Sequence, residues 1–166
     1  MGNAITLRQP KSPADMYEHY FVPAMFLPWA TILLRHAAHQ ARERVLDLGC
    51  GTGIVARQVD PLVGTEGQVV VLDMNKAMLD VARALPAPPG ATIRRHEGNA
   101  MALPFPEGAF DVVLCLHGLQ FFPDRAGQGD FRRLPGILDT NGTLGWPYLP
   151  RNNLFTDFMG SQSVRG

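Results

Sequence analysis

Val45-Leu46-Asp47-Leu48-Gly49-Cys50-Gly51-Thr52-Gly53 is the stretch of sequence that decides the fold. Its apolar half predicts a short buried β-strand, and its glycines predict a tight turn that opens a helix. Apolar residues then recur at helical spacing, at Ile54, Val55, Val59 and Leu62. A strand that passes through a glycine turn into a helix is the first half of a βαβ unit.

The same alternation continues along the chain. The apolar run 69–72, closed by Asp73, predicts a second strand, and a second helix follows, with its apolar face at Met78, Val81, Ala82 and Leu85. Three further strands are predicted over 92–94, 110–116 and 143–148. Strands that alternate with helices indicate an α/β fold with a doubly wound, mostly parallel sheet. Two helices, near 14–21 and 29–41, are predicted ahead of this core.

Composition limits the function classes. The chain has 166 residues with 15 Lys and Arg against 15 Asp and Glu, and 46% of its residues are hydrophobic. A balanced charge argues against a dominant electrostatic partner such as nucleic acid or an acidic membrane. Two cysteines do not make a disulfide scaffold or a four-ligand zinc site. No signal peptide or membrane span is recognised, so a cytoplasmic protein is predicted. No bound metal is predicted either.

The glycine turn is a candidate ligand site. Ile54 stands where the dinucleotide fingerprint requires its third glycine, which weighs against a nicotinamide dehydrogenase, and the phosphate-binding Gly-Lys-Ser/Thr is absent. Asp47, ahead of the glycines, suits an ammonium or sulfonium group better than an anionic pyrophosphate. Asp73, at the end of the second strand, suits the two hydroxyls of a ribose. The alternative is that the glycines only form a turn and that Asp73 caps a helix.

These motifs resemble class I S-adenosylmethionine-dependent methyltransferases, whose fold is Rossmann-like. The quoted stretch 45–53 resembles their first motif and 71–75 their second, while 98–100 with 103–106 and 110–113 resemble the third and fourth. Residues 117–124 and 17–23 are similar to a subgroup that acts on small molecules. The resemblance implies S-adenosyl-L-methionine as cofactor, and methyl transfer to a small-molecule acceptor as activity.

The resemblance also implies roles for individual residues. Asp47 would orient the ammonium group, Asp73 would hold the ribose and Met74 would pack on adenine. The full implied set for cofactor binding is Asp47, Gly49, Cys50, Gly51, Asp73, Met74, Asn99, Ala100 and Leu116. The implied domain division is a helical lid and substrate segment, 1–44, carrying Tyr17 and Tyr20, and a cofactor-binding core, 45–166. His117 would line the substrate and is the candidate base; the alternative is that it only lines the pocket.

The chain departs from the family in two respects. Asn99 stands where the family usually has Asp, which predicts weaker contact with adenine. After Tyr148 only a short tail remains, so the last two strands of the family's sheet are predicted to be missing. An exposed sheet edge would then favour a homo-oligomer that covers it. The same shortness leaves open an alternative function, that of a catalytically inactive cofactor-binding fragment or interaction subunit.

Overall fold

A parallel sheet is the centre of the computed structural model, which describes residues 10–86, 88–118, 121 and 137–139. Its strands are β1 (Arg44–Leu48), β2 (Gln68–Asp73), β3 (Ile93–Glu97), β4 (Val112–Cys115) and β5 (Ile137–Asp139). They lie in the order β3-β2-β1-β4-β5, and every pairing is parallel. The predicted α/β architecture is therefore confirmed. The chain reverses its direction of winding at β1, where open sheets of this kind form a ligand crevice.

One helical stretch precedes the sheet instead of the two separate helices expected. It runs through α1 (Pro13–Met16), a π-helical segment (Tyr17–Phe26) and α2 (Leu27–Ala37). Pro23 lies inside the π-helical segment, and Pro28 lies in the first turn of α2. Pro23 has no amide to donate and would crowd an α-helical turn, and the wider π turn accommodates it. The stretch ends before Ala38, whose φ of 47° is left-handed.

Two helices accompany the strands of the core, α3 (Ile54–Val63) and α4 (Lys76–Ala84). Successive strand residues point to opposite faces of the sheet. One face packs against α2, α3 and α4, through buried residues that include Val45, Val71, Val59 and Leu79. The other face packs against the segment between β3 and β4, through residues that include Leu46, Leu72, Leu103 and Phe110. Burying each of these large side chains stabilises the fold by roughly 1.5–3 kcal/mol.

Two details of the sequence prediction were wrong or incomplete. Leu62 was expected on the buried face of α3 but is 54% exposed, and Val63 is buried in its place. The strand Ile137–Asp139 was not predicted, because two apolar residues beside Gly136 are too short a run to read as a strand. The strand expected over 143–148 lies outside the described residues, as do the tail and the expectation of two missing strands.

Candidate functional site

The glycine turn follows β1 and is held by the end of β2. The carbonyl of Leu72 accepts hydrogen bonds from the amides of Gly49, at 2.8 Å, and Cys50, at 3.2 Å. Gly51 has a φ of 55°, in the left-handed region that residues with a Cβ rarely adopt. This backbone conformation explains why a glycine is needed here. The absence of a Cβ at Gly51 also lets a ligand approach the backbone at this position.

Asp73 ends β2 with its carboxylate against this turn. Its Oδ2 accepts a hydrogen bond from the Gly51 amide at 2.7 Å, and its Oδ1 accepts one from the Asn75 amide at 2.8 Å. The alternative role of helix capping belongs to another residue, since Asn75 caps α4 through the amides of Ala77 and Met78. Asp73 is therefore a carboxylate fixed by two backbone donors at the carboxyl edge of the sheet. Its remaining lone pairs are available to further donors.

Asp47 is the buried acid of the site, with 1% of its surface exposed. Its Oδ2 accepts a hydrogen bond from the Ala56 amide, in the first turn of α3, at 3.1 Å. Burial raises the pKa of this carboxyl to about 7; the charge of Asp73 adds to the shift, while the Ala56 amide and the charge of Arg57 oppose it. A half-ionised acid at neutral pH is a group that a nearby cation would ionise fully.

Tyr17 covers the turn from the π-helical segment. A Cβ added at Gly51 would meet the Tyr17 hydroxyl at 3.5 Å, so the two residues lie in close approach. Burial is the main reason that the pKa of Tyr17 is raised, and the charges of Asp47 and Asp73 add to the effect. The hydroxyl therefore remains a proton donor beside both carboxylates.

An aromatic cluster, comprising Tyr17, Phe21, Phe26, Trp29 and His117, connects this segment to the end of β4. Tyr17 contacts Phe21 and Phe26, and the His117 ring stands edge-on to Phe26 and Trp29 at 5.7 and 6.0 Å. His117 has a φ of 56°, and its Nε2 is buried without a partner in the described part of the chain. The cluster places an unpartnered nitrogen among aromatic rings near the glycine turn.

The structure does not bring every predicted site residue to this cluster. Tyr20 is 54% exposed and stands edge-on to His19. Met74 follows Asp73 directly and is 76% exposed, a position open to a flat ligand. Cys50 and Leu116 are buried in the core face that α2 and α3 cover. Burial raises the pKa of the Cys50 thiol well above its usual value, so the thiol is not activated by the neighbouring helix.

Asn99 and Ala100 lie beyond the end of β3. The side-chain oxygen of Asn99 accepts a hydrogen bond from the Met101 amide at 2.9 Å, and Ala100 is buried. One acceptor position of that oxygen is therefore already used, and one lone pair remains for a ligand.

Sequence reasoning missed an ion pair between the helical stretch and the glycine turn. Arg57 of α3 donates to Glu18 Oε1 at 2.7 Å and to the carbonyl of Thr52 at 2.6 Å. Glu18 and Arg57 are 39 residues apart in sequence. No local sequence pattern links them. The one weak signal in the sequence is that Glu18, a charged residue, directly follows Tyr17, a predicted site residue.

The described ranges hold neither a metal-binding cluster nor a membrane-spanning helix. They contain no group of three or more His, Cys, Asp or Glu side chains placed to hold a metal ion. Within the same ranges, no helix combines the length and the apolar character needed to cross a bilayer.

Comparison with known proteins agrees with this geometry. The family model described as a methyltransferase domain matches residues 45–142. The ubiquinone/menaquinone biosynthesis C-methyltransferase of Coxiella burnetii is 37% identical over 94 residues, which are 55% of this chain and 38% of that protein. The 2-phytyl-1,4-naphtoquinone methyltransferase of Synechococcus elongatus is 37% identical over 98 residues, which are 58% of this chain and 42% of that protein.

Among solved structures, a SAM dependent methyltransferase from Aquifex aeolicus superposes with a TM-score of 0.50 at 18% identity. The match covers 64% of this chain and 57% of that one, and it supports the fold. The chain spans about two fifths of the length of the curated relatives named above.

Proposed function

The chain belongs to the methyltransferase domain family, and we propose that it transfers a methyl group from S-adenosylmethionine to a small-molecule acceptor. The observation that carries the proposal is that the Asp73 carboxylate bonds to the Gly51 amide and lies close enough to the buried Asp47 to add to the rise of its pKa. Two acidic side chains thus accompany a glycine-rich turn. This arrangement fits a ligand with a cationic amino-acid end and a ribose.

The residues present fit the family's cofactor, which supplies a methyl group already activated by its sulfonium charge. Asp47 would receive the ammonium group, and the Gly49 and Gly51 backbone would lie against the amino-acid end. Asp73 has the lone pairs to accept both ribose hydroxyls, and Met74 and Asn99 lie where an adenine would follow. The protein's part in the reaction is to align the acceptor with the methyl group and to exclude water.

His117 is the residue proposed to accept a proton from the methyl acceptor as a general base. Its Nε2 is a buried nitrogen that lacks a partner among the described residues, and aromatic rings surround it. An acceptor whose hydroxyl or ring carbon must lose a proton during attack would use such a group as base. His117→Asn keeps a residue that tolerates left-handed backbone and removes the imidazole. We expect kcat to fall about 100-fold while cofactor affinity stays within about twofold.

The acceptor class is proposed from two sources. The names of both curated relatives given above refer to quinones. The aromatic cluster of this chain offers ring faces and edges that suit a flat aromatic acceptor. We therefore propose a quinol-type or phenolic ring as acceptor, in a cytoplasmic protein, in preference to nucleic acid.

The test of cofactor binding is calorimetry with S-adenosylhomocysteine. We expect micromolar binding to the wild type, and binding about 10- to 100-fold weaker to Asp73→Ala, because two charge-assisted hydrogen bonds are lost. Asp80→Ala is the control, since Asp80 is an exposed acid on α4, paired with Lys76 and Arg83. Equal affinity of the wild type and Asp73→Ala would refute the ribose assignment.

A second candidate function is a cofactor-binding fragment or interaction subunit without activity. A methyl-transfer assay over a panel of phenols, quinols and amines separates the two candidates. Turnover supports the enzyme, whereas tight cofactor binding without any turnover supports the subunit.

A further inference from the structure

We propose that Glu18 and Arg57 are positioning residues that hold Tyr17 over the glycine turn and so enclose the amino-acid end of the cofactor. The inference rests on the proposed function for the identity of the ligand. It assigns to this ion pair a role that none of the motifs of the chain describes. The pair forms a polar connection between the helical stretch and the turn.

The pair joins three parts of the molecule. Glu18 is in the π-helical segment, Arg57 is in α3, and Thr52 belongs to the glycine turn between β1 and α3. One guanidinium nitrogen of Arg57 donates to Glu18 Oε1 at 2.7 Å, and the other donates to the Thr52 carbonyl at 2.6 Å. A guanidinium that bridges two partners in this way fixes both at once, because its donors are coplanar. The segment and the turn are therefore tied through one side chain.

The pair is sheltered from solvent. The side chains of Arg57 and Glu18 are 18% and 19% exposed, whereas Arg42 and Glu66, a surface pair, are 74% and 64% exposed. An exposed pair contributes little, but removing one partner of a sheltered pair leaves a poorly solvated charge. The Glu18–Arg57 pair is thus able to bias whether the segment stays on the turn.

Tyr17 is the neighbour through which the pair reaches the ligand. Its hydroxyl lies 3.5 Å from the Cβ position of Gly51, over the turn where the amino-acid end is proposed to bind. Because Glu18 follows Tyr17 in the same helical segment, anchoring Glu18 to Arg57 also fixes Tyr17. Two polar atoms at this junction, Glu18 Oε2 and Thr52 Oγ1, are buried without partners in the described chain. An acceptor and a hydroxyl left unpaired on the two residues that Arg57 joins suit a ligand that carries both an ammonium and a carboxylate.

The inference predicts a selective loss of affinity. S-adenosylhomocysteine carries the amino-acid end, and 5′-methylthioadenosine has the same adenosine and sulfur without it. In calorimetry, Glu18→Gln and Arg57→Met are each expected to weaken the binding of S-adenosylhomocysteine about tenfold. Each variant should weaken the binding of 5′-methylthioadenosine less than twofold. The double variant is expected to lose no more affinity for S-adenosylhomocysteine than Arg57→Met alone, because the two side chains act as a unit.

The matched control is Asp111→Asn. Asp111 pairs with Arg44 at 2.8 Å, an ion pair between elements at the opposite end of β1. This variant is expected to alter thermal stability without changing either affinity. The inference would be overturned if Glu18→Gln weakened the binding of both ligands equally. It would also be overturned if Asp111→Asn lost as much affinity for S-adenosylhomocysteine as Glu18→Gln.

A second readout needs no ligand. Amide hydrogen exchange in the unliganded protein is expected to speed up across Tyr17–Phe26 in Glu18→Gln, and to stay unchanged there in Asp111→Asn. Unchanged exchange in Glu18→Gln would refute the anchoring itself. Failure of the wild type to bind S-adenosylhomocysteine, with faster exchange in Glu18→Gln, would instead refute the proposed function and the role toward that ligand, while the anchoring would stand.

Discussion

The amide of Gly51 donates a 2.7 Å hydrogen bond to the carboxylate of Asp73, although 22 residues separate the two in sequence. This bond joins the turn after β1 to the end of β2. It makes the backbone of the turn and the proposed ribose-binding acid one structural unit. Changes on either side of the bond are therefore expected to alter ligand binding.

Gly51→Ala is expected to weaken binding of S-adenosylhomocysteine about tenfold or more. An alanine here would have to adopt the left-handed backbone conformation of Gly51. Its Cβ, in contact with the Tyr17 hydroxyl at 3.5 Å, would also occupy the surface where the amino-acid end of the ligand is proposed to bind. Gly108→Ala is the matched control, since Gly108 has a φ of 71° and nothing within 4 Å of its Cβ position. Both variants are expected to lose about 1 kcal/mol of stability by thermal unfolding, and only Gly51→Ala is expected to lose affinity. Equal affinities in both variants would contradict the close approach of Tyr17.

Cofactor affinity is expected to depend on pH through Asp47. Burial raises the pKa of Asp47 to about 7, so the unliganded site is partly protonated below neutral pH. Binding an ammonium group requires the carboxylate, and affinity for S-adenosylhomocysteine should rise towards pH 7, by at most about tenfold per pH unit. Calorimetry between pH 5.5 and 7.5, in buffers that differ in ionisation enthalpy, should show proton release at the acidic end. An affinity independent of pH would indicate that Asp47 does not contact the ligand's charge.

Asp47→Asn is expected to stabilise the unliganded protein while weakening cofactor binding. The folded-state pKa of Asp47 lies above its ordinary value of 3.8, so its contribution to stability is complete below pH 3.8 and is lost as the pH rises through about 7. An amide of the same shape avoids that loss and still offers an oxygen to the Ala56 amide. Chemical denaturation at pH 8 should show a gain on the order of 2 kcal/mol. A variant less stable than the wild type at that pH would contradict this account of Asp47.

His39 is expected to make the fold sensitive to acid. Burial lowers the pKa of His39 below its ordinary value of 6.5, and Glu43, 3.6 Å away, only partly opposes this. The folded state prefers the neutral ring. The contribution of His39 to the free energy of unfolding is therefore complete above pH 6.5 and is lost as the pH falls below that value. Denaturation curves at pH 5.5 and 7.5 should differ less for His39→Gln than for the wild type. His36→Gln, at an exposed position on α2, should behave like the wild type.

The first four strands and the glycine turn were predictable because their signals are local. Residues 45–53 combine an apolar run with closely spaced glycines, and the parallel sheet follows from repeated alternation of strand and helix. The position of Asp73 at the end of β2 followed from the same pattern. These features depend on neighbours in sequence, which is the information that a periodicity contains.

The rest depended on contacts between distant segments. The Glu18–Arg57 pair and the approach of Tyr17 to Gly51 exist only after the helical stretch has packed on α3. Leu62 and Val63 are equally apolar, and the packing of α3 decides which of the two is buried. Two separate helices were predicted near 14–21 and 29–41, whereas a change of helix type allows the chain to continue through Pro23.

The π-helical segment sets the rotational phase of the helix that carries Tyr17. A π-helix makes fewer turns than an α-helix of equal length, so the side chains before Pro23 point in directions set by the wider turns. Reversion of this segment to ordinary α geometry would change the direction in which the phenol ring points, with no change in the amino-acid sequence. The shape of the binding crevice thus depends on the type of helix that the chain adopts around Pro23, six residues beyond Tyr17.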